Sequence, residues 1–257
     1  MRKWDIITAI LLFTLGTLCF IFFEALSIKI LEDPLANKLL CGSISRFGMS
    51  LLFIWLLYKF GGKKYLLFDN SFFKTLLWSL PCFMVALINF PFSALISGAV
   101  YISRIELMGL YILYVIGVAL LEELIFRGVA ILVIGDLLNG KKHKPLLTAL
   151  ITSLVFSLFH LTNLFAGANI AYVLLQCLYT FLIGGMLAVT ILKGGNVWLC
   201  VVIHAIFDFG GLLVIQEIGI GDPQDLVFWI LTIVGGILCA GHIMFSLFKL
   251  ERNYVPE

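Results

Sequence analysis

The sequence predicts an all-α fold, a polytopic membrane helical bundle of about eight transmembrane helices. Three observations predict it. Of the 257 residues, 62% are hydrophobic and 12% charged, where soluble domains carry roughly a quarter charged residues. The mean hydropathy is +1.12. The apolar residues lie in continuous runs, without the short alternating segments of membrane barrel strands.

Crossing about 30 Å of hydrocarbon at about 1.5 Å per residue takes about 20 apolar residues. The first run that qualifies, Ile6 to Ile30, follows the basic stretch MRKWD and superficially resembles a signal peptide. It is too long for a signal h-region and no small-residue cleavage site follows it, so it reads as a retained span. Next come Leu39 to Tyr58, Thr75 to Val100, Leu107 to Leu138, Pro145 to Leu164, Ile170 to Leu192, Val197 to Ile215 and Leu226 to Phe248. The fourth of these eight runs has 32 residues, roughly 48 Å as a straight helix, so it must tilt, break or project beyond the bilayer.

Lys and Arg in the short loops set the orientation. With the N-terminus inside, the inner set is Arg2, Lys3, Lys59, Lys63, Lys64, Lys74, Lys141, Lys142, Lys144, Lys193, Lys249 and Arg252, against Lys29, Lys38 and Arg104 outside. Both termini are therefore expected in the cytoplasm. No loop is long enough for a soluble domain. The chain reads as one integral membrane unit in three parts: helices of 1–104, a transmembrane core of 105–215, and a last helix with a short cytoplasmic tail over 216–257. The net charge of +2 reflects this topology, and the basic footprint of nucleic-acid binding is absent; the expected contact is the lipid bilayer. The six cysteines sit in or beside apolar runs with no metal or disulfide spacing, as small buried hydrophobes do.

Polar residues in the middle of such runs need an explanation. The stretch ALLEELIFRGVAIL, Ala119 to Leu132, places Glu122, Glu123 and Arg127 mid-span, where one unpaired charge costs roughly 2.5 to 3.5 kcal/mol. Glu123 and Arg127 are four apart and can pair on one helix face. Glu122 lies about 100° around and stays available. In FSLFHLTN, Phe156 and His160 share a face that Asn163 continues; in HAIFDFGG, His204 and Asp208 do the same. Polar faces in lipid turn toward one another or toward a wet cavity, so Glu122, His160 and His204 are expected around one pocket. Isolated polar residues such as Glu24, Lys29, Arg46 and His242 lie nearer span ends and are assigned no chemistry.

Two chemistries use these parts. Glu122 can act as general base on a water shared with His160, with His204 and Asp208 stabilising an oxyanion. Alternatively Glu122, His160 and His204 bind a divalent metal such as Zn²⁺, with Glu123 or Asp208 behind them. HExxH, GxSxG and phosphate-loop motifs are absent.

The three motifs, EExxxR at Glu122, Glu123 and Arg127, FxxxH at Phe156 and His160, and HxxxD at His204 and Asp208, resemble those of the CPBP family. That family comprises CAAX proteases and bacteriocin-processing enzymes, also called Abi proteins. The similarity runs over roughly Leu120 to Gly211, while the first hundred residues match only in being membrane spans. It implies an eight-helix intramembrane endopeptidase, of metallo or glutamate type, in which Glu122 and His160 activate water. It further implies that His204 and the residue four later form the oxyanion site, and that Glu123 with Arg127 holds the helix. Asp208 stands where eukaryotic prenyl proteases have Asn; ionised Asp accepts hydrogen bonds but donates none. A membrane-anchored protein or peptide is the expected substrate, and a bacterial plasma membrane the expected location. A non-enzymatic bacteriocin-immunity or scaffold protein is the second reading. A third is a transporter with helices broken at Gly184, Gly185, Gly194 and Gly195.

Overall fold

Asp33 and Pro34 open the first described helix: the Asp33 side chain accepts from the Ala36 amide and Pro34 supplies its fixed φ at the first turn. This helix, α1 (Pro34–Lys59), begins five residues before the apolar run that predicts it. The computed structural model describes residues 28–68, 72–165 and 167–255, with a few positions between 7 and 18. The first expected span and the orientation of the N-terminus lie almost wholly outside the described residues.

The run from Thr75 to Val100 does not form one helix. It divides into α2 (Phe72–Trp78), α3 (Leu80–Ile88) and α4 (Phe92–Ser97), with Pro81 in the first turn of α3 and Pro91 at the N-cap of α4. A proline removes a helix-closing donor and clashes with the preceding turn, so breaks fall there. The long fourth run becomes α5 (Met108–Glu123), a π-helical segment (Leu124–Ala130) and α6 (Ile131–Leu137). Next come α7 (Lys144–Phe159), tightening into a 3₁₀ turn over His160–Leu164, then α8 (Ile170–Leu192), α9 (Val197–Gly211) and α10 (Leu226–Asn253). Asn169, Asn196 and Asp225 cap α8, α9 and α10 as Asp33 caps α1, each cap stabilising its helix by about 1 kcal/mol.

Among the described residues, five segments are long and apolar enough to cross a membrane: α1, α3 with α4, α7 with its 3₁₀ turn, α8 and α10. α9 has 15 residues and is shorter. Its cap Asn196 is buried, so α9 starts inside the bundle. Gly184 and Gly185 lie within an unbroken α8, and Gly194 and Gly195 form the turn after it, so the expected breaks at the first pair are absent.

Contacts fix the helix directions. Gly42 meets Tyr114 and Gly128 meets Leu57, so α1 and the α5–α6 rod run parallel. Ser157 bonds the Cys177 carbonyl and Gly184 abuts Ser153, so α7 and α8 run antiparallel. Lysines gather where α1, α6, α8 and α10 end and α7 begins. At the opposite end a short antiparallel ribbon, β1 (Val100–Ile102) with β2 (Gly219–Gly221), is a small addition to the expected all-α fold. It ties together two loops expected outside. Arg104 beside it bridges Asp33 at 2.6 Å and Glu106 at 2.5 Å.

One core cluster, including Phe53, Leu57, Leu124, Phe156, Met186 and Ile203, fills the middle; a second, around Leu39, Val100, Tyr111 and Ile218, underlies the ribbon. Large apolar side chains such as Leu51, Leu154, Leu178 and Ile237 face outward, as helices require when the solvent is lipid. The cysteines described are free thiols, and Cys82, Cys200 and Cys239 are buried.

A close approach in the core is at Gly210, where an added Cβ would lie 2.6 Å from the Phe90 Cα and 2.8 Å from the Asn89 carbonyl oxygen. Backbone atoms cannot swing aside. Gly210→Ala is expected to push α9 off α3, destabilising the fold by about 1–3 kcal/mol. A lowered thermal unfolding midpoint in detergent checks this.

Candidate active site

Glu123 is the last residue of α5 and is fully buried, while Arg127 sits one turn on in the π-helical segment at 1% exposure. A π turn holds one residue more than an α turn, and here all seven of its residues are buried. Arg127 Nε lies 3.2 Å from Glu123 Oε2. The contact is an ion pair more than an aligned hydrogen bond, since Glu123 Oε2 and both Arg127 Nη atoms find no hydrogen-bond partner among the described residues. The guanidinium instead stacks on the Phe156 ring, Cζ 4.2 Å from its centroid, a cation–π contact strengthened by burial.

The other Glu123 oxygen, Oε1, lies 2.7 Å from His204 Nδ1. A carboxylate only accepts, so Nδ1 carries the hydrogen. This sets the ring. His204 Nε2 then faces Asp208 Oδ2 at 3.4 Å and Glu122 Oε2 at 3.8 Å. The structure thus brings Glu122, Glu123, Arg127, His204 and Asp208 into one cluster. Glu123, expected to pair with Arg127 and, in the metal reading, to stand behind the ligands, holds His204 directly, a contact between α5 and α9 that helical spacing cannot reveal.

His160 reaches the same place through Phe156. Where α7 tightens into its 3₁₀ turn, the His160 amide bonds the carbonyls of Ser157 and Leu158. The Phe156 carbonyl is thereby released from its usual partner and accepts from His160 Nδ1 at 2.9 Å. With Nδ1–H donating, Nε2 of the neutral ring is left as an acceptor. The Phe156 ring meets His160 edge-on at 4.9 Å and His204 at 6.0 Å. One ring therefore touches the guanidinium and both imidazoles. Gly184 permits this close packing, because a Cβ there would sit 3.2 Å from Phe156 Cδ1.

Glu122 differs from its neighbour. Its side chain is 21% exposed, against 0% for Glu123. It lines a cavity of about 40 Å³ with Arg46, Phe53, Val118 and Phe159 among the walls, room for about two or three waters. Both His204 and His160 act on it electrostatically. Arg46, expected near a span end, is a correction. Because α1 starts at Pro34 and not Leu39, Arg46 falls near the middle of the helix, stacked on Tyr114 at 4.7 Å and facing the Glu122 cavity. Asn163 turns from the His160 face to donate to Gln176 Oε1 on α8 at 2.8 Å.

Metal binding asks for three donors converging at about 2.0–2.2 Å from one point. Among the described residues no group of three or more His, Cys, Asp or Glu side chains could hold a metal ion. Nδ1 of each histidine is committed, so a metal could be reached only through the Nε2 atoms.

Removing the guanidinium would leave Glu123 as a buried charge with only a histidine to oppose it. Arg127→Met is expected to cost about 3–5 kcal/mol of stability, read as a lowered unfolding midpoint. Arg127→Lys should restore little of it, because an ammonium lacks the planar face that stacks on Phe156.

No curated protein matches the chain. A family match covers residues 104–210, less than half of the chain but enclosing every member of the carboxylate and imidazole cluster. The family is described as type II CAAX prenyl endopeptidase Rce1-like, so residues 104–210 are similar to a CAAX protease family, in keeping with the family that the three motifs resemble.

Proposed function

We propose that the protein is an intramembrane endopeptidase in which Glu122 activates the attacking water. The observation that carries this reading is the difference between adjacent carboxylates. Glu123 is sealed against Arg127 and His204, while Glu122 stands open to a water-sized cavity.

In the proposed reaction Glu122 takes a proton as the water oxygen bonds to the peptide carbonyl carbon. The carbonyl oxygen becomes an oxyanion. His204, its Nδ1–H fixed on Glu123, offers Nε2–H to that oxygen when protonated, and Asp208 helps to hold the imidazolium. Asp208 therefore acts through His204 and need not donate a hydrogen bond itself, which accommodates Asp where Asn is typical. Collapse of the tetrahedral species breaks the C–N bond, and the proton held by Glu122 passes to the leaving amine. His160, with Nε2 free to accept, orients the water. No step is routed through a metal, since the donors are not gathered as ligands.

The substrate is proposed to be a membrane-associated protein or peptide, because the cluster is packed among apolar helices of which α7 with its 3₁₀ turn, carrying His160, is long and apolar enough to cross a membrane, and the matched family is named for CAAX prenyl endopeptidases. The gathering of lysines at one end supports a cytoplasmic position for that end, and we place the protein in a bacterial plasma membrane.

Glu122→Gln is expected to lower cleavage of a fluorogenic peptide library in detergent micelles by about 10² to 10⁴-fold, with the unfolding midpoint maintained. Full activity in this variant would refute the assignment. A chelator such as phenanthroline is expected to leave the wild-type rate unchanged; abolition, restored by added Zn²⁺, would instead support a metal held by Glu122, His160 and His204.

A further inference from the structure

The larger cavity lies away from the carboxylates. It measures about 470 Å³ and opens at the lysine-rich end, roughly 20 Å along the α5–α6 rod from Glu122 if the 13 residues to Gly135 rise about 1.5 Å each. Here α6, α8 and α10 end and α7 begins. Three of the segments long and apolar enough to cross a membrane, α7, α8 and α10, begin or end at this level. The lining changes with depth: Ile131, Leu132 and Ile191 lie further into the helices, and Lys64 and Lys144 lie at their ends.

Among the residues that line this cavity, ammonium groups outnumber carboxylates by one. Asp136 is the one carboxylate in the lining, against the ammonium groups of Lys64 and Lys144. Lys144 donates to Asn139, and Lys64 lies 5.0 Å from the Tyr65 ring; an ammonium has three donors, so each retains hydrogen-bonding capacity. Two further lysines stand next in sequence to lining residues, Lys193 between Leu192 and Gly194 and Lys249 before Leu250. Lys193 and Lys249 lie 4.0 Å and 4.6 Å from the centroid of one indole, Trp78. Burial, and then Lys249, push the Lys193 ammonium below the usual lysine range. The C-termini of α6, α8 and α10 add partial negative charge at this end, but it is spread over the terminal turns while the lysines are point charges at the cavity.

We propose that this cavity binds the phosphate of an anionic phospholipid headgroup, with Lys64 and Lys144 as its partners and the apolar inner wall receiving the glycerol and the first part of an acyl chain. Basic pockets between helices at the membrane surface suit such headgroups. A free anion would use the lysines but not the apolar wall. Gly135 keeps the space open: a Cβ there would meet nothing nearer than Lys144 Cε at 3.9 Å, so a larger side chain would enter the cavity without collision.

Native mass spectrometry of the full chain released from detergent tests this. Wild type is expected to retain phosphatidylglycerol over phosphatidylcholine of the same chain length. Retention should fall about fivefold for Lys64→Gln or Lys144→Gln and about thirtyfold for both together. Gly135→Leu should lower it with every lysine in place, and Lys38→Gln, at the other end of the bundle, should leave it unchanged. Equal retention of the two lipids, or phosphatidylglycerol retention untouched by the double substitution, would overturn the proposal. Displacement by glycerol phosphate at the same concentration as the lipid would overturn the lipid assignment in favour of a free anion.

Discussion

The buried carboxylate of Glu123 is the constraint on which the rest of the site depends. A charge sealed from water and lipid is tolerable only when opposite charge and hydrogen-bond donors reach it. Arg127 comes from the same rod, and His204 from α9. Because each is needed, α5 and α9 must be in contact at one depth, and the His204 ring must turn Nδ1 inward. Its Nε2 is left facing Glu122 and Asp208. A structural requirement in the core thus positions the groups proposed to react.

Both departures from α geometry near the cluster serve that arrangement. The π-helical segment carries Arg127 into the interior and stacks it on Phe156. The 3₁₀ turn releases the Phe156 carbonyl, which fixes His160. π turns and 3₁₀ stretches inside longer helices often mark functional positions, because they give up regular hydrogen bonding for placement. The small residues do complementary work: Gly184 lets α8 close on Phe156, and Gly210 lets α9 close on α3.

Much of the bundle was legible as hydropathy. Ile170–Leu192 is found with the boundaries its apolar run gives, because a capping Asn and a terminal Lys-Gly-Gly bracket it. Thr75 to Val100 was not, because an apolar run looks continuous across Pro81 and Pro91 while the backbone cannot be. The six polar residues of the cluster were legible as anomalies, and i to i+4 spacing paired Glu123 with Arg127 and His204 with Asp208. Contacts between helices were not legible in that way. Spacing along one helix carries no information on which neighbour it faces, so the Glu123 bond to His204 and the placement of Arg46 against the Glu122 cavity emerge only from packing. The lysines at the large cavity read as a topology signal, and only the fold gathers them around an opening.

In this arrangement Glu123 holds the Nδ1 proton of His204. Nitrogen-15 NMR of histidine-labelled protein in lipid, with His204 assigned by its loss in His204→Asn, measures this directly. The account predicts a protonated Nδ1 in the wild type whose resonance shifts in Glu123→Gln. A bare Nδ1, with the single proton on Nε2, would contradict it.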